Sequence, residues 1–441
     1  MPSTGETSRP RRVLIIVENL PVPFDRRVWL EATTLRAAGY QVSIISPFGQ
    51  GATAPYEKID GIHVYRHAVF HEAHGAIGYL LEYGSAIFHE LRLSIKIARR
   101  HGFDVIHACN PPDLIFLIGL LFKPFGKHLL FDHHDLNPEL YAAKFGGKTI
   151  VNRIVQKLLL CCERLTFSLA TITIATNESY RQIAIERGRK NPEKVFVVRS
   201  GPNLRKIKRM PPDKRWRNGR AYLVGYVGVI GQQEGLDLLL LSLEHIVRQH
   251  RRNDVQFVIV GDGPELPNIK ELARQRQLDE FVTFTGRVDD TTLLTVLSTA
   301  DVCVNPDRFN AMNDKSTMNK ILEYMALERP IVQFDLVEGR VSAQHASLYA
   351  TRNDPVDFAD KIVQLLSDPQ QRAAMGRYGR ERVEKELSWE HEAPRLLEAY
   401  DTLFSMEKEK HRNVSGGSQS KSAHVGSTLL GPPLRPRNTD R

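Results

Sequence analysis

Short, nearly uninterrupted apolar runs alternate with longer amphipathic stretches along most of the chain. In the first half the runs are VLIIV (Val13–Val17), VSII (Val42–Ile45), IHVY (Ile62–Tyr65), VIHA (Val105–Ala108), HLLF (His128–Phe131) and TITIA (Thr171–Ala175). In the second half they are YLVGYVG (Tyr222–Gly228), VQFVIVG (Val255–Gly261), FVTFTG (Phe281–Gly286), DVCVN (Asp301–Asn305) and PIVQF (Pro330–Phe334). Strands that are apolar on both faces need cover on both faces. Stretches such as Arg27–Ala38, Gly235–Gln249 and Pro264–Gln275 read as the covering helices. The pattern predicts an α/β protein of two Rossmann-like, doubly wound domains facing across a cleft.

The rhythm breaks once, over PNLRKIKRMPPDKRWRNGR (Pro202–Arg220), which is polar, basic and Pro-containing. That is linker chemistry. The expected division is a disordered N-terminus at 1–12, a first domain at 13–200, a linker at 201–221 and a second domain at 222–388. A helix at 389–406 should pack back on the first domain, and a disordered basic tail should fill 407–441. The carboxyl ends of the two sheets would face each other, and ligands of open α/β sheets bind there.

Charge changes little. The chain of 441 residues carries +9, of which the 407–441 segment supplies +4 and residues 1–12 supply +2. The body is nearly balanced, so nucleic acid is not the expected partner; an anionic ligand or membrane surface fits as well. Cys109, Cys161, Cys162 and Cys303 have no metal-binding spacing and are expected as buried free thiols. The most apolar segment, Leu114–Phe122, is too short for a bilayer, which needs about 20 residues. A cytoplasmic protein is expected, with peripheral contact at the inner face of the membrane left open. The apolar-basic stretches His89–Arg100 and Thr149–Phe167 would suit such a contact, or simply serve as core helices. No Walker lysine motif occurs, and no G-x-G-x-x-G opens a helix.

Three segments carry candidate chemistry. Asn313–Val332 (NDKSTMNKILEYMALERPIV) reads as a loop feeding a helix that starts near Thr317. Free N–H groups at such a start suit a phosphate. Lys315 and Lys320 add positive charge, and Glu323 could accept two hydroxyls of a ribose; a solvated Glu/Lys surface is the plain alternative. Phe131–Tyr141 (FDHHDLNPELY) follows a strand, placing His133, His134 and Asp135 at a sheet's carboxyl end. Asp135 or Asn137 could instead cap the next helix. Arg26 and Arg27 open a helix against its dipole, which hints at an anionic partner or an interdomain contact.

These segments, with VVRSGPN (Val197–Asn203), YVGVIGQQEGLDLLL (Tyr226–Leu240), VIVGDGP and FTGRV, occur in an order that resembles a GT-B fold glycosyltransferase similar to family 4, over roughly 11–405. The resemblance implies retaining transfer from a nucleotide-sugar to a polysaccharide, glycolipid or other acceptor hydroxyl, with no cofactor and no metal. Glu323 matches the second glutamate of the family's E-x7-E motif and would hold the donor ribose. The first falls on Lys315. The family's phosphate-clamp Arg and Lys fall on Val229 and Glu234, so both cations are missing. Lys320 is the expected substitute, with Arg199, Arg287 and Lys315 next. The donor set is thus Gly228, Arg199, Gly261, Arg287, Lys315, Asn319, Lys320 and Glu323, and the catalytic set His134, Asp135 and Lys320. A sugar-nucleotide epimerase and a catalytically inactive binding protein are the competing readings.

Overall fold

The computed structural model describes residues 9–68, 75–145 and 149–419. It forms a compact unit of residues 1–399 and a second unit of residues 400–441. The first unit holds two sheets. One comprises β1 (Arg12–Ile16), β2 (Gln41–Pro47), β3 (Tyr56–Ile59), β4 (Ile62–His67), β5 (Val105–Cys109), β6 (His128–His133), β7 (Ile172–Ala175) and β8 (Val195–Val197), in the order β3-β4-β2-β1-β5-β6-β7-β8. The other comprises β9 (Tyr222–Val227), β10 (Val255–Val260), β11 (Val282–Gly286), β12 (Val302–Asn305), β13 (Ile331–Phe334) and β14 (Ser347–Ala350), in the order β11-β10-β9-β12-β13-β14. Every pairing is parallel except β3 with β4.

Chain order reverses beside β1 in the first sheet and beside β9 in the second. The loops leaving β1, β5, β9 and β12 therefore diverge and open the crevices in which such sheets bind ligands. Apolar clusters fill both faces of the second sheet, around Leu239, Phe257 and Phe358 on one and Val258, Leu297 and Tyr324 on the other. Leu14, Phe131 and Phe167 lie in the core of the first.

Three strands carry no long apolar run: β3, β8 and β14. All three are sheet edges. An edge strand is covered on fewer sides, so short and mixed sequences such as YEKI suffice there. The helix placed near Thr317 begins at Asn319 instead. Asn177 of the first half donates its Nδ2 to Lys315 O at 2.8 Å and to Thr317 Oγ1 at 3.0 Å. The hydroxyl that would cap the helix is spent on that bond, and the loop stays open two residues longer.

The terminal helix runs Trp389–Gln419, so residues 407–419 are helical where a tail without structure was expected. Residues 420–441 of that expected tail, and residues 1–8 of the expected disordered N-terminus, lie outside the described residues. Arg12 is already in β1, with its backbone N–H on Asp104 at 3.0 Å. At the start of the terminal helix, Trp389 Nε1 donates to Thr34 Oγ1 at 2.9 Å, and Glu392 accepts from the Arg199 N–H at 2.9 Å. Cys109 and Cys303 are buried, but Cys161 is exposed and Cys162 half-buried, on the outward side of the amphipathic helix Ile150–Leu169. Among the described residues no helix is long and apolar enough to cross a membrane.

Candidate functional site

The loops after β9 and β10 lie against each other. Ile230 N donates to Asp262 O at 3.0 Å, and Glu265 N to Ile230 O at 2.9 Å. Gly228 (φ +156°) and Gly261 (φ +140°) permit the approach. A Cβ on Gly261 would overlap the Gly228 carbonyl, and one on Gly228 would stand 2.7 Å from Tyr226 Oη and 3.4 Å from Lys320 Cε. The glycines thus keep a narrow backbone-lined space beside Lys320.

Lys320 opens the helix Asn319–Ala326. Its Nζ is 2.8 Å from Asp307 Oδ1 and 4.9 Å from the centre of the Tyr226 ring. Asp307 is buried. Burial raises the Asp307 carboxyl above the usual range, against the pull of Lys320. Glu234 curls back toward Gly231 and leaves Oε2 buried with no partner; burial and then Asp307 raise its carboxyl too. The residue at the missing clamp position is therefore turned inward, and Val229 is exposed. Lys320 thus faces two acids, the buried Asp307 in direct contact at 2.8 Å and the half-buried Glu234.

One turn on from Lys320, Glu323 meets the other half of the unit. Arg26 Nη1 donates to Glu323 Oε1 at 2.7 Å and Nη2 to Asp290 Oδ1 at 2.9 Å. Burial lifts the Glu323 carboxyl, partly offset by Arg26. Phe24, Arg26, Gly201, Asp290, Asn319 and Glu323 line a cavity of about 200 Å³. Arg287 stacks on Phe24 with 4.6 Å to the ring centre. The arginine that opposed its own helix dipole thus pairs across the unit with a carboxylate 297 positions away.

Arg27, its neighbour, is buried and points the other way. Its Nη2 is 2.8 Å from Asp132 Oδ1 and 3.1 Å from Glu31 Oε1, and its Nη1 donates to Val198 O at 2.7 Å. Burial opposes its charge, but Asp132 and Glu31 more than compensate and hold the guanidinium protonated. Against the cost of burial, Arg27 and His134 keep Asp132 ionised, far below the usual range. His134 Nε2 lies 2.9 Å from Arg27 Nε and in contact with Asp132 as well. The His134 ring is fixed through Nε2, while no described residue bonds its Nδ1. Asn110 grips the backbone beneath, accepting from the His134 N–H at 2.7 Å and donating to Asp135 O at 2.7 Å. His133 points into the core, where burial and Arg187 push its imidazole down to about 3.

Of the expected residues, Gly228, Gly261 and Lys320 come together, and Asn319 and Glu323 line the adjoining cavity. His134 and Asp135 stand at the end of β6 in the other half. Arg199 is held 3.7 Å from Glu338 and Arg287 lies on Phe24, so neither joins Lys320. Lys315 contributes its carbonyl to Asn177, and its ammonium has no partner among the described residues. Sequence reasoning missed Asp132, Glu31, Asn110, Asp307 and Asn177. Only Asp132 gave a local signal, by its place in FDHHD.

Two family models match, one described as glycosyltransferase family 4 over residues 25–206 and one as glycosyl transferases group 1 over 221–368. The α-D-kanosaminyltransferase of Streptomyces kanamyceticus is 30% identical over 155 residues, 35% of this chain and 38% of that protein. A GDP-mannose-dependent α-(1-6)-phosphatidylinositol monomannoside mannosyltransferase of Mycobacterium tuberculosis is 30% identical over 189 residues, 42% of this chain and 49% of that protein. The matches thus span less than half of either relative. The sucrose-phosphate synthase of Thermosynechococcus elongatus superposes with a TM-score of 0.74 at 19% identity, over 90% of this chain and 100% of that one, which speaks for the fold. Matched in both halves by these two models, the chain belongs to the group 1, family 4 glycosyltransferases, a retaining family of GT-B fold.

Proposed function

We propose that the protein transfers a sugar, with retention, from a nucleoside-diphosphate sugar to an acceptor hydroxyl carried by a lipid or growing glycan. The observation that carries this reading is the space beside Lys320, walled by Gly228 and Gly261, with Glu323 one turn on. Glu323 would accept the ribose hydroxyls, for which Arg26 must yield. Lys320 and the N–H groups at its helix start would take the diphosphate, Lys320 exchanging Asp307 for the departing charge. His134, fixed by Arg27 and Asp132, would meet the acceptor side through Nδ1. Among the described residues no side chain stands out as a nucleophile, so the leaving diphosphate would itself accept the proton of the incoming hydroxyl on the same face of the sugar. Closure of the two halves supplies orientation and excludes water.

A lipid-borne acceptor is supported by the helix Ile150–Leu169. Ile150, Val151, Ile154 and Leu158 are exposed there, beside the exposed bases Arg153 and Lys157. A neighbouring short helix adds exposed Leu120 and Leu121. An apolar stripe edged by basic residues suits an anionic bilayer surface. The test is release of nucleoside diphosphate from a panel of UDP- and GDP-sugars, with and without lipid acceptors in anionic vesicles. Acceptor-dependent release supports the transfer. Release of an isomerised sugar without acceptor would point to an epimerase, and no turnover at all to an inactive binding protein.

A further inference from the structure

At the carboxyl end of the first sheet three ionisable side chains converge. Glu18 follows β1, His67 ends β4, and Glu90 lies on the helix Gly75–Arg100. One ligand atom from each lies within 4.8 Å of the other two. His67 Nε2 is 3.0 Å from Glu18 Oε2. Glu90 is fully buried and neither of its oxygens has a hydrogen-bond partner. Among the described residues no Lys or Arg pairs with Glu18 or Glu90. A buried carboxylate with nothing to bond is strongly disfavoured unless a cation or a proton neutralises it.

We infer that Glu18, His67 and Glu90 form a binding site for one divalent first-row transition-metal ion, of which Zn²⁺ and Mn²⁺ are the natural probes. One imidazole and two carboxylates form a mixed N/O donor set, and imidazole favours these ions over Mg²⁺. Zinc ligands at 2.0–2.2 Å from the ion stand roughly 3.4 Å apart in a tetrahedron, close to the Glu18–His67 separation. The outer partners are in place too. His67 Nδ1 is 3.0 Å from Ala68 O, which puts the proton on Nδ1 and leaves Nε2 as the coordinating atom. The His89 ring stacks on His67 at 5.6 Å and 11°, which holds the imidazole plane. Three ligands leave at least one position for water or a hydroxyl. The ion would tie the loop after β1 to β4 and the long helix, and it takes no part in binding the donor.

The test uses untagged, full-length protein, stripped with chelator and titrated with ZnCl₂ or MnCl₂ by calorimetry. Glu90→Gln, His67→Gln and Glu18→Gln are titrated in parallel, each checked for folding by circular dichroism. One ion per chain is expected, bound at least tenfold more weakly by each variant. The ion should raise the unfolding midpoint of the native protein and not of the variants. Affinity for the nucleotide-sugar should be the same in all four. Absence of uptake at millimolar ion, or uptake indifferent to all three substitutions, overturns the site. A native protein that ignores both ions, with a more stable Glu90→Gln variant, overturns it in favour of a protonated carboxyl.

Discussion

The two halves of the first unit build their sites from opposite materials. In the second half the space beside Lys320 is made of backbone: glycines that let two loops touch, a helix start, and one lysine against Asp307. The core beneath is apolar on both faces of the sheet. In the first half the equivalent position is a buried charge network in which Arg27, Glu31, Asp132 and His107 are all out of water. A nucleoside diphosphate is the same for many sugars, and backbone N–H groups with one cation recognise it cheaply. A network of ion pairs fixes the His134 ring more firmly than packing alone. The cost is that the first half depends on every member of its network.

The largest effect should come from breaking that network. Arg27→Met leaves Asp132, which the network holds ionised, buried without its cation, and should lower unfolding free energy by about 3–5 kcal/mol, read from the urea midpoint. Lys320→Met should cost far less stability, because Asp307 is already driven toward its neutral form and can take up a proton. Equal losses in the two variants would erase the distinction.

Next comes turnover. Lys320→Met should cut kcat about 10²–10³-fold, as for loss of one donor to a transition-state charge, and Lys320→Arg should restore it only in part. Arg199→Met and Arg287→Met should fall well short of that loss, since their side chains are engaged by Glu338 and Phe24. A larger loss at either arginine would move the diphosphate away from the glycine-walled space.

A smaller change is expected in donor affinity. Glu323→Ala should weaken nucleotide-sugar binding by about 1.5–3 kcal/mol, one charged hydrogen bond net of the Arg26 contact that binding gives up, measured by calorimetry. Arg26→Ala should instead leave affinity unchanged or modestly raised, since Arg26 competes with the ribose for the same carboxylate. A matching fall in both variants would make the ion pair part of the bound state.

The effect confined to a window of pH belongs to the first half. Burial and the nearby Glu163 push the Asp113 carboxyl up to about 7, against an unfolded value of about 3.9. The folded protein therefore binds more protons over that interval, and this group's contribution is full below about pH 4 and lost as pH rises through about 7. Asp113→Asn should flatten that part of the stability profile. An unchanged slope would assign it to another buried group.

Periodicity along the chain was enough to place the central strands of both sheets and most covering helices, because burial on two faces demands an apolar run wherever it occurs. It was silent on β3, β8 and β14, where edge positions relax that demand. Motif order named Gly228, Gly261, Lys320 and Glu323, since loop and helix-start chemistry is local. Partners were another matter. Arg26 and Glu323 are 297 positions apart, and Asn177 reaches 140 positions to delay the helix at Asn319. Glu18, His67 and Glu90 share no spacing at all. Whether Lys320 stands free or paired, and whether Glu234 turns in or out, depends on side chains that only folding brings within Coulomb range. Local sequence determined which residues could do the chemistry; the tertiary structure decided the charge each one meets.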